Sequence, residues 1–131
     1  MSVNENKTIR VVAYVDTADR SPKNDLQQQK TFFTDFVAGR DDCELIDVYT
    51  DTDKARTDGK RVEFDRMLAD AAGDKFDYIA VKQFSEVSRD INKFTLVIKR
   101  LKELGVGIFF ITENVDTLHS KEISMLLRLV A

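Results

Sequence analysis

The chain has 131 residues, of which 43% are hydrophobic and 33% charged, the balance of one soluble globular domain with a single core. Its net charge of −3 has the wrong sign for a domain that holds nucleic acid by electrostatics alone, so any DNA contact must be local or supplied elsewhere. No apolar run reaches the roughly 20 residues of a membrane span, and the polar residues 1–7 do not resemble a signal peptide, so we expect a cytoplasmic protein.

The first predicted elements are a strand and a helix. Residues 9–15 form a nearly continuous β-branched run, which is typical of a parallel strand covered on both faces. Pro22 marks a turn, and Asn24 or Asp25 can cap the helix that follows. Gly39 ends that helix. Its apolar stripe consists of Leu26, Phe33, Phe36 and Val37.

A second strand is predicted over residues 44–49, followed by a polar segment without periodicity over residues 50–60. We interpret that segment as a functional loop. The next helix has the clearest periodicity of the chain and ends at Gly73. Its repeating positions are Phe64, Met67, Leu68, Ala71 and Ala72.

Two further strands are predicted over residues 76–81 and 106–111, separated by a helix that Gly105 ends. The apolar face of that helix consists of Phe94, Val97, Ile98, Leu101 and Leu104. Residues 120–131 form a last helix with apolar residues at Ile123, Leu126, Leu127 and Val130. Because its pattern stops in mid-repeat, we expect the chain to be a fragment of a longer protein.

The alternation of strands and helices predicts an α/β protein with three layers, in which helices cover both faces of one mostly parallel sheet. We expect four or five strands in a flavodoxin-like arrangement, forming one domain over residues 1–131. Functional residues should then gather where the parallel strands end. Those ends are residues 16–20, 51–61, 82–89 and 112–116.

Five short segments, taken in order, carry a recognisable pattern. They are Ala13-Tyr14-Val15, Leu26-Gln27-Gln28-Gln29-Lys30, Tyr49-Thr50-Asp51 with Gly59-Lys60-Arg61-Val62-Glu63-Phe64, Val81-Lys82-Gln83-Phe84-Ser85-Glu86-Val87-Ser88-Arg89-Asp90, and Phe110-Ile111-Thr112-Glu113-Asn114-Val115-Asp116-Thr117. Their order resembles the N-terminal catalytic domain of the serine recombinases, the resolvase and invertase family with its large-integrase branch. The resemblance covers nearly the whole chain.

The resemblance implies site-specific DNA strand exchange. In that family a serine hydroxyl attacks a DNA phosphate, arginines neutralise the phosphoryl oxygens, and a phosphoserine link holds the cut strand without any metal or cofactor. Here Ala18 stands at the nucleophile position, and Asp16 and Glu86 stand at arginine positions. An arginine on a transferring phosphoryl group can contribute about 10³ to 10⁵ in rate, so this copy is expected to have lost cleavage.

Other family positions are retained. Arg61 and Arg89 match its arginines, and Gln29 and Lys82 also match, so we expect a residual phosphate-facing pocket. The alternative is that Arg61 merely opens a helix and Arg89 is an ordinary surface charge. Ser85 stands where the family has serine or aspartate, and we expect it to cap the helix that follows.

Three alternatives concern the lost nucleophile and the strand tip. Ala18 could be a laboratory substitution, but that leaves Asp16 and Glu86 unexplained, and natural degeneration accounts for all three. Thr17 or Ser21 could replace the hydroxyl, although Thr17 should point the other way. An aspartyl phosphatase would need a second aspartate where the chain has Ala18.

The remaining motifs have plain structural interpretations. A calcium loop beginning at Asp51 lacks its turn glycine and one ligand. Cys43 is interpreted as a structural thiol, since the chain has no second cysteine for a disulfide. His119 is expected in a loop or at a helix start. Phe32, Phe33 and Phe36 are expected to pack in the core rather than stack on bases, because no basic stripe accompanies them.

The sequence thus predicts the N-terminal domain of a serine recombinase with a degenerate active site, a relic of a mobile element or a partner of active recombinases. Its expected partners are DNA, through a local patch or another region, and further copies that form a dimer or tetramer through the C-terminal helix. The alternative is a flavodoxin-like self-association or regulatory module without a DNA role. The sequence beyond Ala131 would separate the two.

Overall fold

The computed structural model describes residues 8–17, 26–52 and 60–129. Its elements, in chain order, are β1 (Ile9–Thr17), α1 (Leu26–Ala38), β2 (Cys43–Thr52), α2 (Val62–Ala72), β3 (Tyr78–Val81), a 3₁₀ helix (Phe84–Glu86), α3 (Ile91–Glu103), β4 (Gly107–Phe110), β5 (Val115–Asp116) and α4 (Lys121–Leu129). No helix within these ranges is long and apolar enough to cross a bilayer.

The sheet has five strands in the order β2-β1-β3-β4-β5. The first four strands in this order run parallel, and β5 pairs antiparallel with β4. This is the flavodoxin-like order, in which β1 and β3 are neighbours and the chain reverses its winding between them. The predicted fold class is confirmed.

Two apolar clusters cover the two faces of the sheet because successive residues of a strand point to opposite sides. Val12 and Tyr14 of β1 face the larger cluster, to which α2, α3 and α4 contribute. Val11, Ala13 and Val15 face the smaller cluster, which contains α1. Residues from α1 that are buried there include Phe33 and Val37. The sheet therefore lies between two helical layers, as the alternating elements predicted.

The predicted boundaries hold except around the strands. β2 continues through Thr52, so residues 50–52 are strand rather than the expected loop. They pair in register with residues 15–17 of β1. The hydrogen bonds to β1 make them a strand although their own sequence lacks a strand pattern. β3 begins at Tyr78 rather than residue 76. The predicted turn at Pro22, the caps Asn24 and Asp25, and residues 53–59 of the loop lie outside the described residues.

β2 carries one irregularity. Val11 pairs with Leu45 and Val12 with Asp47, so Ile46 is an extra residue opposite β1. Its side chain is 44% exposed. Such a bulge bends the strand and increases its twist.

Candidate active site at the carboxyl edge of the sheet

Polar side chains gather at the carboxyl ends of β1, β2 and β3, which we call the carboxyl edge. Asp16 of β1 and Asp51 of β2 are paired across the two strands, and Tyr14 is paired with Val81 of β3. Asp16 is half-buried, whereas Asp51 is 2% exposed. Two carboxylates thus lie on neighbouring strands where the sequence predicted the functional residues.

Asp51 caps the N-terminus of α2. Its carboxylate accepts hydrogen bonds from the Tyr14 hydroxyl at 2.7 Å, the Glu63 amide at 2.9 Å and the Phe64 amide at 3.0 Å. Those two amides belong to the second and third residues of α2, the donors that an N-cap side chain normally binds. Arg61 holds the N-cap position but provides no side-chain cap. Asp51 therefore caps the helix from a neighbouring strand, and its negative charge also favours the helix N-terminus.

Arg61 connects α2 to the segment after β3. Its Nη1 donates to the Glu86 carbonyl oxygen at 2.9 Å, and its Nη2 donates to the Val87 carbonyl oxygen at 2.7 Å. Its Cζ lies 3.9 Å from the centroid of the Phe64 ring, a cation–π contact. Arg61 therefore binds the backbone of Glu86 and Val87 rather than the Glu86 side chain. Its main contacts stabilise the segment that follows β3.

The 3₁₀ helix holds Ser85 and Glu86, both half-buried. The expectation that Ser85 caps the following helix is wrong. Asp90 caps α3 instead, since its side chain accepts from the amides of Asn92 and Lys93. Asp90 directly precedes α3, whereas Ser85 lies five positions further back and so cannot reach the first amides of the helix.

Phe84 anchors the 3₁₀ helix in the core. Its ring meets Phe94 and Phe110 edge to face, with centroids 5.4 and 4.7 Å apart. Its amide donates to Glu113 Oε2 at 3.1 Å. The other oxygen of Glu113, Oε1, is buried without a hydrogen-bond partner among the described residues. The segment that carries Glu86 is therefore held by Arg61 on one side and by the packing and hydrogen bond of Phe84 on the other.

The remaining predicted site residues are Arg89, Gln29, Lys82 and Ala18. Arg89 is exposed and makes no side-chain hydrogen bond or ion pair with the described residues. Gln29 is half-buried on α1, and Lys82 lies with its Nζ 5.4 Å from the centroid of Phe32. Ala18, the expected nucleophile position, falls outside the described residues, as do Ser21 and the side chain of Thr17. No contact in the described ranges joins Arg89 to Arg61.

Other predicted residues have their expected surroundings in part. Phe33 is buried and Phe36 half-buried, as predicted, but the predicted core position of Phe32 is wrong, since its side chain is 38% exposed. His119 lies just before α4, with its Nε2 3.9 Å from Asp116. Cys43 is half-buried, and burial raises the pKa of its thiol. In the described ranges, no cluster of acidic, histidine and cysteine side chains could hold a metal ion.

The three tyrosines of the chain should ionise only when it unfolds. Burial, above all, and hydrogen bonds to Asp51, Asp70 and Asp116 raise the pKa values of Tyr14, Tyr49 and Tyr78 well above the usual 10. Stability from the neutral phenols is fully present below about pH 10 and is lost as the pH rises further, because the unfolded chain releases the protons first.

Ultraviolet titration of tyrosinate measures this directly, since the chain has no tryptophan. We expect tyrosinate absorbance and loss of circular dichroism to appear together above about pH 10, whereas the chain in urea titrates near pH 10. Tyrosinate that forms near pH 10 while the dichroism is unchanged would show that these phenols are not held as described.

Three comparisons relate this chain to known proteins. The family model described as Resolvase, N terminal domain, matches residues 11–131. No functionally curated protein shows significant sequence similarity to the chain.

Solved structures of recombinase domains have the same fold. A resolvase family site-specific recombinase from Streptococcus pneumoniae superimposes with a TM-score of 0.78 at 22% identity, over 93% of this chain and 85% of that one. The N-terminal catalytic domain of TP901-1 integrase gives 0.76 at 18% identity, over 92% and 90%. The C-terminal catalytic domain of ISC1926 TnpA, an IS607-like serine recombinase, gives 0.66 at 18% identity, over 92% and 77%. Because the family model spans nearly the entire chain and the fold agrees, the chain belongs to the resolvase N-terminal domain family of site-specific recombinases.

Proposed function

We propose that this domain serves DNA strand exchange without cutting DNA itself. In this proposal residues 1–131 form one resolvase-type N-terminal domain whose nucleophile position, Ala18, offers no oxygen. Arg61, Arg89, Gln29 and Ser85 are the remnants of the phosphate site. The protein acts in the cytoplasm as a partner of active recombinases, or persists as a relic of a mobile element.

The observation that carries the proposal is the charge at the carboxyl edge. Asp16 lies beside Asp51 at adjoining strand ends. The sequence resemblance implies that Asp16 and Glu86 stand where the family has arginines. A transferring phosphoryl group needs positive charge around its oxygens. Carboxylates at these positions repel it, in a partly buried setting where water screens charge less than at the surface.

The contacts of Arg61 support the same conclusion. Two of its N–H groups are used by the carbonyl oxygens of Glu86 and Val87, and its guanidinium stacks on Phe64. To bind a phosphate with these N–H groups, Arg61 would have to break its hydrogen bonds to the carbonyl oxygens of Glu86 and Val87. Arg89, which is exposed, is the better candidate for a remaining phosphate contact.

Family membership implies interaction with DNA and self-association in general terms. We propose more specifically that copies form a dimer or tetramer through α4, where Met125 is 62% exposed. The net charge of −3 makes a broad electrostatic grip on DNA unfavourable. DNA contact is therefore assigned to a local patch or to regions outside residues 1–131.

A covalent-adduct assay tests the loss of cleavage. The full-length protein is incubated with supercoiled DNA that carries candidate crossover sites, and binding is first verified by gel shift at several salt concentrations. We expect binding without any covalent protein–DNA adduct. We also expect Ala18→Ser alone to remain inactive, because the repelling carboxylates are still present.

Neutralising the carboxylates provides the matched comparison. In the Ala18→Ser background, Asp16→Asn with Glu86→Gln should bind the same DNA more tightly than Ala18→Ser alone. An adduct formed by the unmodified protein would refute the inactive assignment, and cleavage by Ala18→Ser alone would refute the role given to Asp16 and Glu86. A full-length protein that self-associates but never binds DNA would favour the alternative, a regulatory module without a DNA role.

A further inference from the structure

A pocket of about 180 Å³ lies at the end of the sheet opposite the carboxyl edge. The first residues of three strands, Ile9 of β1, Cys43 of β2 and Tyr78 of β3, line it, together with the end of α1. Of its lining residues, Arg40 and His119 are the exposed ones, and we take them to mark its mouth. The proposed recombinase role involves none of the residues that line this pocket.

The interior of the pocket is apolar. Val11 and Ala80 form part of its wall on the sheet, and both are buried. Phe36 and Val37 of α1 and Phe109 of β4 complete it, with the two phenylalanine rings 5.2 Å apart. An apolar cavity of about 150 Å³ is large enough to admit benzene. The volume and lining therefore suit a single aromatic ring.

The mouth of the pocket presents a cation with hydrogen-bonding capacity. The Cζ of Arg40 lies 4.3 Å from the centroid of Phe109 and 5.0 Å from that of Phe36, so the guanidinium covers both rings. Its side chain makes no hydrogen bond or ion pair with the described residues. A stacked guanidinium can still present two parallel N–H groups to a carboxylate.

The acidic group at the mouth is already engaged. Asp116 accepts from the Tyr78 hydroxyl at 3.0 and 3.1 Å and from the Leu118 amide at 3.0 Å. The ring of Tyr78 packs directly on Gly107, where a side chain would displace it, and this contact holds the hydroxyl near Asp116. These hydrogen bonds hold the Asp116 carboxylate on Tyr78 and Leu118 but do not remove its charge. Arg40, by contrast, has guanidinium N–H groups with no acceptor among the described residues, so it is the group at the mouth with donors left for an anion.

We propose that this pocket binds a small aromatic carboxylate, with the ring in the apolar interior and the carboxylate on Arg40. The charge of Arg40 selects an anion over a cation, and the volume selects one ring. This proposal does not depend on the proposed function. It rests on the contacts among Arg40, Phe36 and Phe109.

Three probes of the same size and different charge test the proposal. Benzoate, benzyl alcohol and benzylamine are titrated into the ¹⁵N-labelled chain, and chemical-shift changes are followed by nuclear magnetic resonance. We expect benzoate to bind about tenfold more tightly than benzyl alcohol, and benzylamine to bind least tightly. The shifted amides should include those of Val37 and Cys43. The preference for benzoate should weaken with added salt.

The variant Arg40→Gln removes the charge at an exposed position and should abolish the preference for benzoate. Arg100→Gln, an equal charge change at an exposed position of α3, should leave it intact. Cys43, the single cysteine, gives a second measurement: benzoate should slow its alkylation by iodoacetamide in the unmodified chain but not in Arg40→Gln. Absence of benzoate binding, tighter binding of the alcohol or the amine, shifts confined to other regions, or an unchanged preference in Arg40→Gln would each overturn the proposal.

Discussion

Replacing Asp51 by alanine should reduce the free energy of unfolding by about 3–5 kcal/mol. At a position that is 2% exposed, the carboxylate accepts from three donors of the described residues, and two of these donors, the Tyr14 hydroxyl and the Phe64 amide, are in buried hydrogen bonds. Each buried donor left without a partner costs about 1–3 kcal/mol, and the loss of a helix cap alone costs about 1 kcal/mol. Urea unfolding followed by circular dichroism measures the change.

Two milder variants and one control separate the contributions. Asp51→Asn retains one acceptor oxygen but turns an NH₂ group toward a donor, so it should lose less stability than Asp51→Ala. Tyr14→Phe removes one donor and should cost about 1 kcal/mol. Asp65→Ala, at an exposed position in the first turn of the same helix, should change stability by at most about 0.5 kcal/mol. A loss for Asp51→Ala no larger than that for Asp65→Ala would show that Asp51 is not the cap of α2.

The two arginines that match the family should differ sharply when each is replaced by alanine. Arg61→Ala removes two charge-assisted hydrogen bonds and the stacking on Phe64, and we expect a loss of about 2–4 kcal/mol. Arg89→Ala, at an exposed position without such contacts in the described ranges, should stay within about 0.5 kcal/mol. The same urea measurement compares them.

DNA binding should show the opposite order for variants that remain folded. Arg89→Ala should weaken binding of the full-length protein to DNA, whereas Arg61→Lys, which keeps the charge but not the planar fork, should affect stability more than binding. If Arg61→Ala were as stable as the unmodified chain and bound DNA poorly, then Arg61 would be a phosphate ligand rather than a structural link.

The sequence predicted the helices well because their apolar residues repeat with the helical period. Phe64, Met67 and Ala71 of α2 are buried as expected. Gly105 ends α3 with a φ of 77°, a conformation that glycine adopts without strain. These signals are local, since each depends on residues within two turns of one another.

The missed features depend on distant partners. Residues 50–52 are polar and look like a loop, but β1 provides a strand for them to pair with. β5 has only two residues, too few for any periodicity, and it exists through its pairing with Phe109 and Phe110. The 3₁₀ helix likewise depends on Phe84 packing between α3 and β4.

The sequence predicted where in the fold these polar residues lie, but it did not predict their contacts. The strand ends carry Asp16, Asp51 and the segment with Glu86, as parallel topology requires. The sequence did not predict that Asp51 caps α2 or that Arg61 binds the carbonyl oxygens of Glu86 and Val87. Both contacts join residues that are distant in the sequence, so no short sequence pattern indicates them. Tyr49-Thr50-Asp51 contained the available signal: a carboxylate at a strand end shortly before a helix that has no cap of its own.

The extra residue at Ile46 bears on how copies of this chain can meet. β2 lies at the border of the sheet, and such a border can recruit a strand from a second molecule. The bend at Ile46 interrupts the even spacing of amides and carbonyls that an incoming strand would need. The bend at Ile46 therefore works against fibre-like growth by pairing of β2 with a strand of another copy.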